Sequence, residues 1–157
     1  MTKFLQNPNS SAEIFLKNIS NLVSIIILLD MIELEYIGHE DQKEIISQVK
    51  IQFENFCRKI TSEIEAMNSK NVVYRFSLDS DELFSTRKIL NSANLISSKP
   101  LIILKEKIED MVNFVLMIEK NLSAINLTED EKIIILQEVF ITRNRIYNLQ
   151  IRNIKFS

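Results

Sequence analysis

The sequence predicts an all-α protein, an up-and-down bundle of four long helices plus one shorter helix. A chain of 157 residues has the size of one domain, so residues 1–157 are taken as a single helical-bundle domain. One glycine and two prolines leave little material for hairpins or phosphate-binding loops. Long segments with helical apolar spacing are separated by short polar ones, which favours antiparallel neighbours.

The first predicted helix follows a polar segment, residues 1–9, which we expect to be flexible. Ser10 through Glu13 fits a capping box, in which a hydroxyl accepts a first-turn amide and the glutamate reaches back. The helix should continue to about Ile37, because Gly38 suits the left-handed conformation that ends many helices. Its middle is apolar on nearly every face, which is typical of a central, fully packed helix.

This apolar helix raises the question of membrane insertion. A spanning helix needs about twenty predominantly apolar residues. The run from Leu22 to Ile32 is shorter and contains Asp30, and a wider window adds Lys17 and Glu33. The N-terminus has one lysine followed by polar residues, unlike a signal peptide. We therefore expect no membrane insertion.

The second predicted helix begins at Glu40 and Asp41, whose carboxylates suit the positive end of a helix dipole. Its apolar stripe comprises Ile46, Val49, Phe53, Phe56, Ile60, Ile64 and Met67. The period then changes to two residues, with Val72, Tyr74 and Phe76 alternating with Val73, Arg75 and Ser77. Since no second strand pattern occurs, residues 69–78 are interpreted as a connector that packs on the bundle.

Three further helices complete the prediction. Asp79 or Ser80 caps a shorter helix over residues 80–96, and Pro100 suits the first turn of the next one. The stripe of that fourth helix comprises Leu101, Leu104, Ile108, Met111, Val115, Ile118, Leu122 and Ile125. Thr128 to Glu131 forms a second capping box, which begins a last helix containing Ile135, Val139, Ile146 and Leu149.

Three charged residues occupy positions on these apolar stripes, namely Asp30, Arg87 and Arg143. A lone buried charge costs several kcal/mol, so each needs an opposite charge, a route to solvent or a partner. One hypothesis is that Asp30 forms a buried ion pair with Arg143 or Arg87. The alternative is that both arginines extend to solvent at the rim of the bundle.

The sequence predicts no catalytic or metal site and no cofactor. Glu35 and His39 have the four-residue spacing of helical metal ligands, but His39 is the single histidine and Gly38 ends the helix before it. A carboxylate-only site for a hard cation stays open. No nucleophile or phosphate-loop motif occurs, so we expect no enzymatic activity. Cys57, the single cysteine, is interpreted as a buried hydrophobe in a reducing, cytoplasmic protein.

The C-terminal stretch ITRNRIYNLQIRNIKFS is locally basic on a chain of formal net charge -2. It contains Arg143, Arg145, Arg152 and Lys155 and no acid. One interpretation is that these cations complement the negative end of the helix dipole. The other is that they bind nucleic-acid phosphates, which would make the protein a nucleic-acid-binding accessory protein.

The apolar content favours a protein–protein interaction module, such as a small accessory subunit, a chaperone-like binder or an inhibitor. Several aliphatic residues lie partly off the main stripes and need cover, namely Ile25, Ile27, Leu28, Ile102, Ile103, Ile133 and Ile134. A protein partner or a homo-oligomer would provide that cover. The predicted interface comprises Ile102, Ile133 and the connector residues Tyr74, Arg75 and Phe76, whose types often anchor interfaces.

Overall fold

Five α-helices make up the computed structural model across the residues it describes. These are residues 11–69, 78–121 and 127–156, with positions 68, 69, 121 and 152–156 described by their backbone alone. The helices are α1 Ser11–Glu35, α2 Glu40–Ser69, α3 Asp81–Ser92, α4 Lys99–Asn121 and α5 Glu129–Phe156. No strand occurs in these ranges, so the predicted all-α bundle of four long helices and one shorter helix is confirmed.

Successive helices alternate in direction. Phe15, early in α1, meets Phe114, late in α4, with ring centroids 5.2 Å apart. Ser47 of α2 donates to Glu33 of α1 at 2.9 Å, and Gln52 of α2 donates to Thr86 of α3 at 3.0 Å. Helices α2 and α5 are likewise antiparallel, because Arg143 bonds to Glu65 while the later Gln150 bonds to the earlier Glu54. Helices α1, α3 and α5 therefore run one way, and α2 and α4 run the other, as in an up-and-down bundle.

The packing order differs from the chain order. Helix α1 packs against α2, α4 and α5, and α2 packs against α1, α3 and α5, while α3 and α4 pack against each other. Within the described residues, α4 and α5 do not pack together although they are consecutive. Helices α1 to α4 thus form a closed ring, with the short α3 as a full member, and α5 covers the outer side of the α1–α2 pair.

Helix α1 supplies the largest share of the core. Eleven of its 25 residues are buried, among them Leu22, Ile26 and Leu29. Among the described helices, α1 alone is long and apolar enough to cross a membrane by length and composition, but half of the qualifying window is buried inside the bundle. The other predicted stripes also face the core, because Val49, Phe53 and their neighbours on α2 are buried.

Several helix ends can be compared with the predicted signals. Helix α1 ends at Glu35, two residues before the predicted end near Ile37, and the predicted capping box at Ser10 lies outside the described residues. Gly38 has a φ of 91° just after α1, as the left-handed prediction requires. The Thr128 amide donates to Glu131 Oε1 at 2.8 Å, and the Glu131 amide donates to Thr128 Oγ1 at 3.2 Å, so the second capping box is formed. Helix α3, however, ends at Ser92 rather than residue 96, because Ala93 is extended with φ -74° and ψ 148°.

Some predicted features lie outside the described residues. These are the flexible residues 1–9, most of the connector 69–78, including Tyr74, Arg75 and Phe76, and the last two members of the fourth stripe, Leu122 and Ile125. All of these stay predictions.

The hypothesis that Asp30 pairs with Arg87 or Arg143 is wrong. Asp30 faces α2 and forms an ion pair with Lys50. Arg87 instead pairs with Glu109 of α4 at 3.1 Å, and Arg143 pairs with Glu65 of α2 at 2.6 Å. The physical reason is the antiparallel register of α1 and α2, which brings the Lys50 ammonium to the carboxylate. Both arginine heads are partly exposed, so they reach the rim as the alternative predicted.

Candidate interaction surface

Large apolar side chains remain exposed at the C-terminal end of α1. We call Ile27, Met31, Leu34 and Ile37 the α1 patch. The first three follow the spacing i, i+4 and i+7, so they share one helix face. Exposure rises along the patch from 38% for Ile27 to 67% for Leu34. This face of α1 lies between α4 and α5, which make no mutual contact among the described residues and so leave it uncovered by them.

Hydrogen bonds fix the end of the bundle that carries the α1 patch. The Tyr36 hydroxyl donates to the Ile96 carbonyl at 2.9 Å, and the Ile96 amide donates to Gln42 at 3.1 Å. These bonds tie the segment between α3 and α4 to the α1–α2 junction. Burial raises the pKa of Tyr36, and the negative charge of Glu35 raises it further, so the phenol stays protonated and able to donate.

A second exposed apolar group lies along α5. We call Ile133, Phe140 and Tyr147, which are seven residues apart, the α5 stripe. Their exposed fractions are 52%, 67% and 62%. Phe140 and Tyr147 each directly follow a buried residue, Val139 and Ile146. One residue turns an α-helix by about 100°, so the stripe runs beside the buried face. Tyr147 lines a cavity together with α2 residues such as Cys57 and Arg58, which places this edge of α5 near α2.

A groove between α2 and α5 borders the α5 stripe. It contains a cavity of about 320 Å³ with an apolar floor that includes Cys57 and Ile146, while Arg58 and Tyr147 lie at its sides. Burial raises the pKa of the Cys57 thiol well above its usual value, and the nearby Glu54 charge adds to this effect. The thiol is therefore kept in its neutral form, which is a poor nucleophile.

Arg143 closes one part of this groove. Its Nη1 donates to Glu65 at 2.6 Å, its Nη2 to Ser62 at 2.9 Å and its Nε to Thr61 at 3.3 Å. All three nitrogens of the planar guanidinium therefore donate hydrogen bonds to α2. A phosphate at Arg143 would have to compete with Glu65 and two hydroxyl groups.

The predicted basic site is only partly assembled by the structure. Arg145 is exposed on α5, but Arg143 is bonded to α2. Arg152 and Lys155 fall in the part of α5 described by its backbone alone.

The described residues contain no group of three or more His, Cys, Asp or Glu arranged to hold a metal ion. Glu35 and His39 are both exposed on either side of Gly38, and the His39 amide donates to the Tyr36 carbonyl at 2.8 Å.

The predicted interface residues Ile102 and Ile133 are both exposed, but they do not form one surface. Ile102 lies in the first turn of α4 and Ile133 in the second turn of α5, and these helices run in opposite directions without packing together over the ranges that the structure describes. The two residues therefore lie at opposite ends of the bundle. Of the other aliphatic residues thought to need cover, Ile25 is buried by the fold itself, and Leu28, Ile103 and Ile134 are half-buried.

Sequence reasoning missed the most exposed members of both surfaces, Leu34, Ile37 and Phe140. For Phe140 a signal was present, since Phe140 and Tyr147 repeat the seven-residue spacing of Val139 and Ile146 one position later. No protein-family model, curated protein or solved structure matches the chain.

Proposed function

We propose that this bundle is a non-enzymatic, cytoplasmic protein–protein interaction module that binds through apolar helix faces. It would act as a small accessory subunit, a chaperone-like binder or an inhibitor. The observation that carries the proposal is the exposure of large apolar side chains in two groups. In the α1 patch, Leu34 is 67% and Ile37 65% exposed, and in the α5 stripe, Phe140 is 67% and Tyr147 62% exposed. Single exposed apolar residues are ordinary, but groups on one helix face mark interaction sites.

The shape of the α1 patch supports binding to an apolar helix or loop. The outward face of α1 forms a floor, and α4 and α5 stand on either side of it. Apolar anchors at i, i+4 and i+7 are the pattern by which amphipathic helices and hydrophobic grooves recognise each other. The hydrogen bonds around Ile96 hold this end of the bundle in place, which lowers the entropy lost on binding.

Two properties of Cys57 support the non-enzymatic and cytoplasmic parts of the proposal. Its buried thiol is kept neutral and so offers no thiolate nucleophile. As the single cysteine of the chain it cannot form an intrachain disulfide, which fits a reducing compartment. Binding of nucleic acid through the end of α5 receives less support. Arg143 already bonds to α2, and the chain has more acidic than basic residues, 21 against 19.

Site-specific photo-crosslinking in the source cells tests the proposal. A benzophenone amino acid replaces Leu34, and a control protein carries it at the exposed polar position Glu106 of α4. We expect the Leu34 position to give one saturable protein adduct, identified by mass spectrometry, and the Glu106 position to give none. Equal, diffuse labelling at both positions would reject the proposal. A nucleic-acid complex that weakens steeply with salt and is lost in Arg145→Glu would replace it with the nucleic-acid alternative.

A further inference from the structure

The α5 stripe is symmetric about its central residue. Ile133 precedes Phe140 by seven residues, and Tyr147 follows it by seven. A twofold axis at Phe140 would therefore place two α5 helices antiparallel, with Phe140 against the partner's Phe140 and Ile133 against the partner's Tyr147. We propose that the α5 stripe is the interface of a twofold-symmetric homodimer. Such an isologous contact uses the same surface on both copies, so a symmetric stripe satisfies it.

The charges of α5 favour the same antiparallel arrangement. Residues 129–138 contain four acids, Glu129, Asp130, Glu131 and Glu138, against one cation, Lys132. Residues 139–156 contain the four cations of the basic stretch and no acid. With the axis at Phe140, residues 129–138 of each helix lie along residues 142–151 of the other, a segment that holds Arg143 and Arg145 and no acid, while Arg152 and Lys155 extend beyond the start of the partner helix. Arg143 is already paired with Glu65, so the exposed Arg145 is the cation that this arrangement brings nearest to the exposed acids Glu129 and Asp130. A parallel pair would instead align like charges, which costs energy at an interface.

The neighbouring face of α2 extends this surface. Ile51 is 62% exposed and lies one turn before Glu54, which accepts a hydrogen bond from Gln150 of α5 at 3.0 Å. The cavity of about 320 Å³ opens beside Tyr147, which is the position that the partner's Ile133 would face. An aliphatic side chain entering an apolar depression is the usual form of an interface anchor. The α5 stripe would thus be buried against both α5 and α2 of the second copy.

This inference rests on the proposed function, because it assigns a second copy of the chain to one of the two apolar surfaces. It leaves the α1 patch open to a different protein. The two surfaces lie on different helices, so variants can separate them.

Sedimentation equilibrium of the full chain tests the stoichiometry. We expect wild-type protein at tens of micromolar to have twice the 18.3 kDa mass of the chain. Phe140→Lys should raise the dimer dissociation constant by at least about tenfold, because it places two charges at the twofold axis. Leu34→Lys is the matched control, since Leu34 has the same 67% exposure as Phe140 and should leave the dimer unchanged. Unaltered melting of both variants at dilute concentration checks the fold.

Cysteine crosslinking tests the geometry. Phe140→Cys should form a disulfide with its own copy, because the axis brings the two positions together. Ile133→Cys or Tyr147→Cys alone should not, since the copies of either residue would lie about 21 Å apart along the helices. A mixture of these two variants should crosslink. Buried Cys57 is present in every sample and gives the background.

Three results would overturn the inference. They are a wild-type monomer at high concentration, a dimer that Leu34→Lys but not Phe140→Lys dissociates, and efficient disulfides in Ile133→Cys or Tyr147→Cys alone. A monomer that still gives a specific protein adduct at Leu34 would refute the homodimer and leave the proposed function standing. A dimer through α5 without any adduct at Leu34 would restrict the interaction function to self-association.

Discussion

Helices α1 and α5 use similar residues in opposite ways. Helix α1 packs on three neighbours and buries eleven of its 25 residues. Helix α5 packs on two neighbours, buries Ile135, Val139 and Ile146 as its apolar core, and leaves the α5 stripe exposed. Helix α1 is the more apolar of the two and has one more neighbour to cover it, whereas the side of α5 that has no neighbour leaves its isoleucine, phenylalanine and tyrosine available for binding.

Truncating one isoleucine in each helix should give the largest difference in unfolding free energy between α1 and α5. Ile26→Ala, at a fully buried position of α1, should lower the free energy of unfolding by about 2–5 kcal/mol, because it removes packed methylenes and leaves a cavity. Ile133→Ala, at a position that is 52% exposed, should change it by no more than about 0.5 kcal/mol in dilute monomer. Urea unfolding measured by circular dichroism provides both values. Similar losses for the two variants would contradict the assigned burial.

The ion pairs of the two helices should differ in the same direction. Lys50→Met keeps the aliphatic stem but leaves the Asp30 carboxylate without its cation at a site where the two side chains are 13% and 24% exposed. We expect a loss of about 1–3 kcal/mol in unfolding free energy. Arg143→Met breaks a pair whose side chains are 38% and 49% exposed, so the loss should stay below about 1 kcal/mol. Thermal and urea unfolding measure both, and a larger loss for Arg143→Met would reverse the ranking.

The smallest expected loss of unfolding free energy is at the capping box that begins α5. Thr128→Ala removes the hydroxyl that accepts the Glu131 amide and should cost about 1 kcal/mol of unfolding free energy. Glu131→Gln is the control, because glutamine can still accept the Thr128 amide and complete the box. Hydrogen exchange should show faster fraying confined to the first turn of α5 in the first variant. Equal fraying in both variants would show that the carboxylate charge contributes as much to the cap as the hydroxyl does.

The sequence was sufficient for features that one helix determines by itself. Apolar periodicity predicts which faces of α2 and α4 are buried, and local hydrogen bonding predicts the capping box at Thr128 and the turn at Gly38. The early end of α3 was missed because Ser92 to Ile96 has no strong stop signal. Such boundaries depend on tertiary contacts, here the hydrogen bonds of Ile96 with Tyr36 and Gln42.

Features that need two helices could not be predicted from one pattern. The partner of Asp30 depends on the register between α1 and α2, which the sequence does not specify. The exposure of Phe140 depends on which side of α5 lacks a neighbour, and the closed ring of α1 to α4 decides that. The sequence therefore predicted that apolar helix faces would need cover but not which residues form each surface. Of the predicted interface residues, Ile102 and Ile133 are exposed but lie at opposite ends of the bundle.

The closed ring of α1 to α4 has a consequence for how the protein is made. During synthesis these four helices leave the ribosome before α5 does, and their mutual contacts already complete a bundle. Until α5 arrives, the outer side of the α1–α2 pair faces water. Because exposed apolar surface of a partly folded chain promotes association, we expect docking of α5 to lower the tendency of the nascent chain to aggregate.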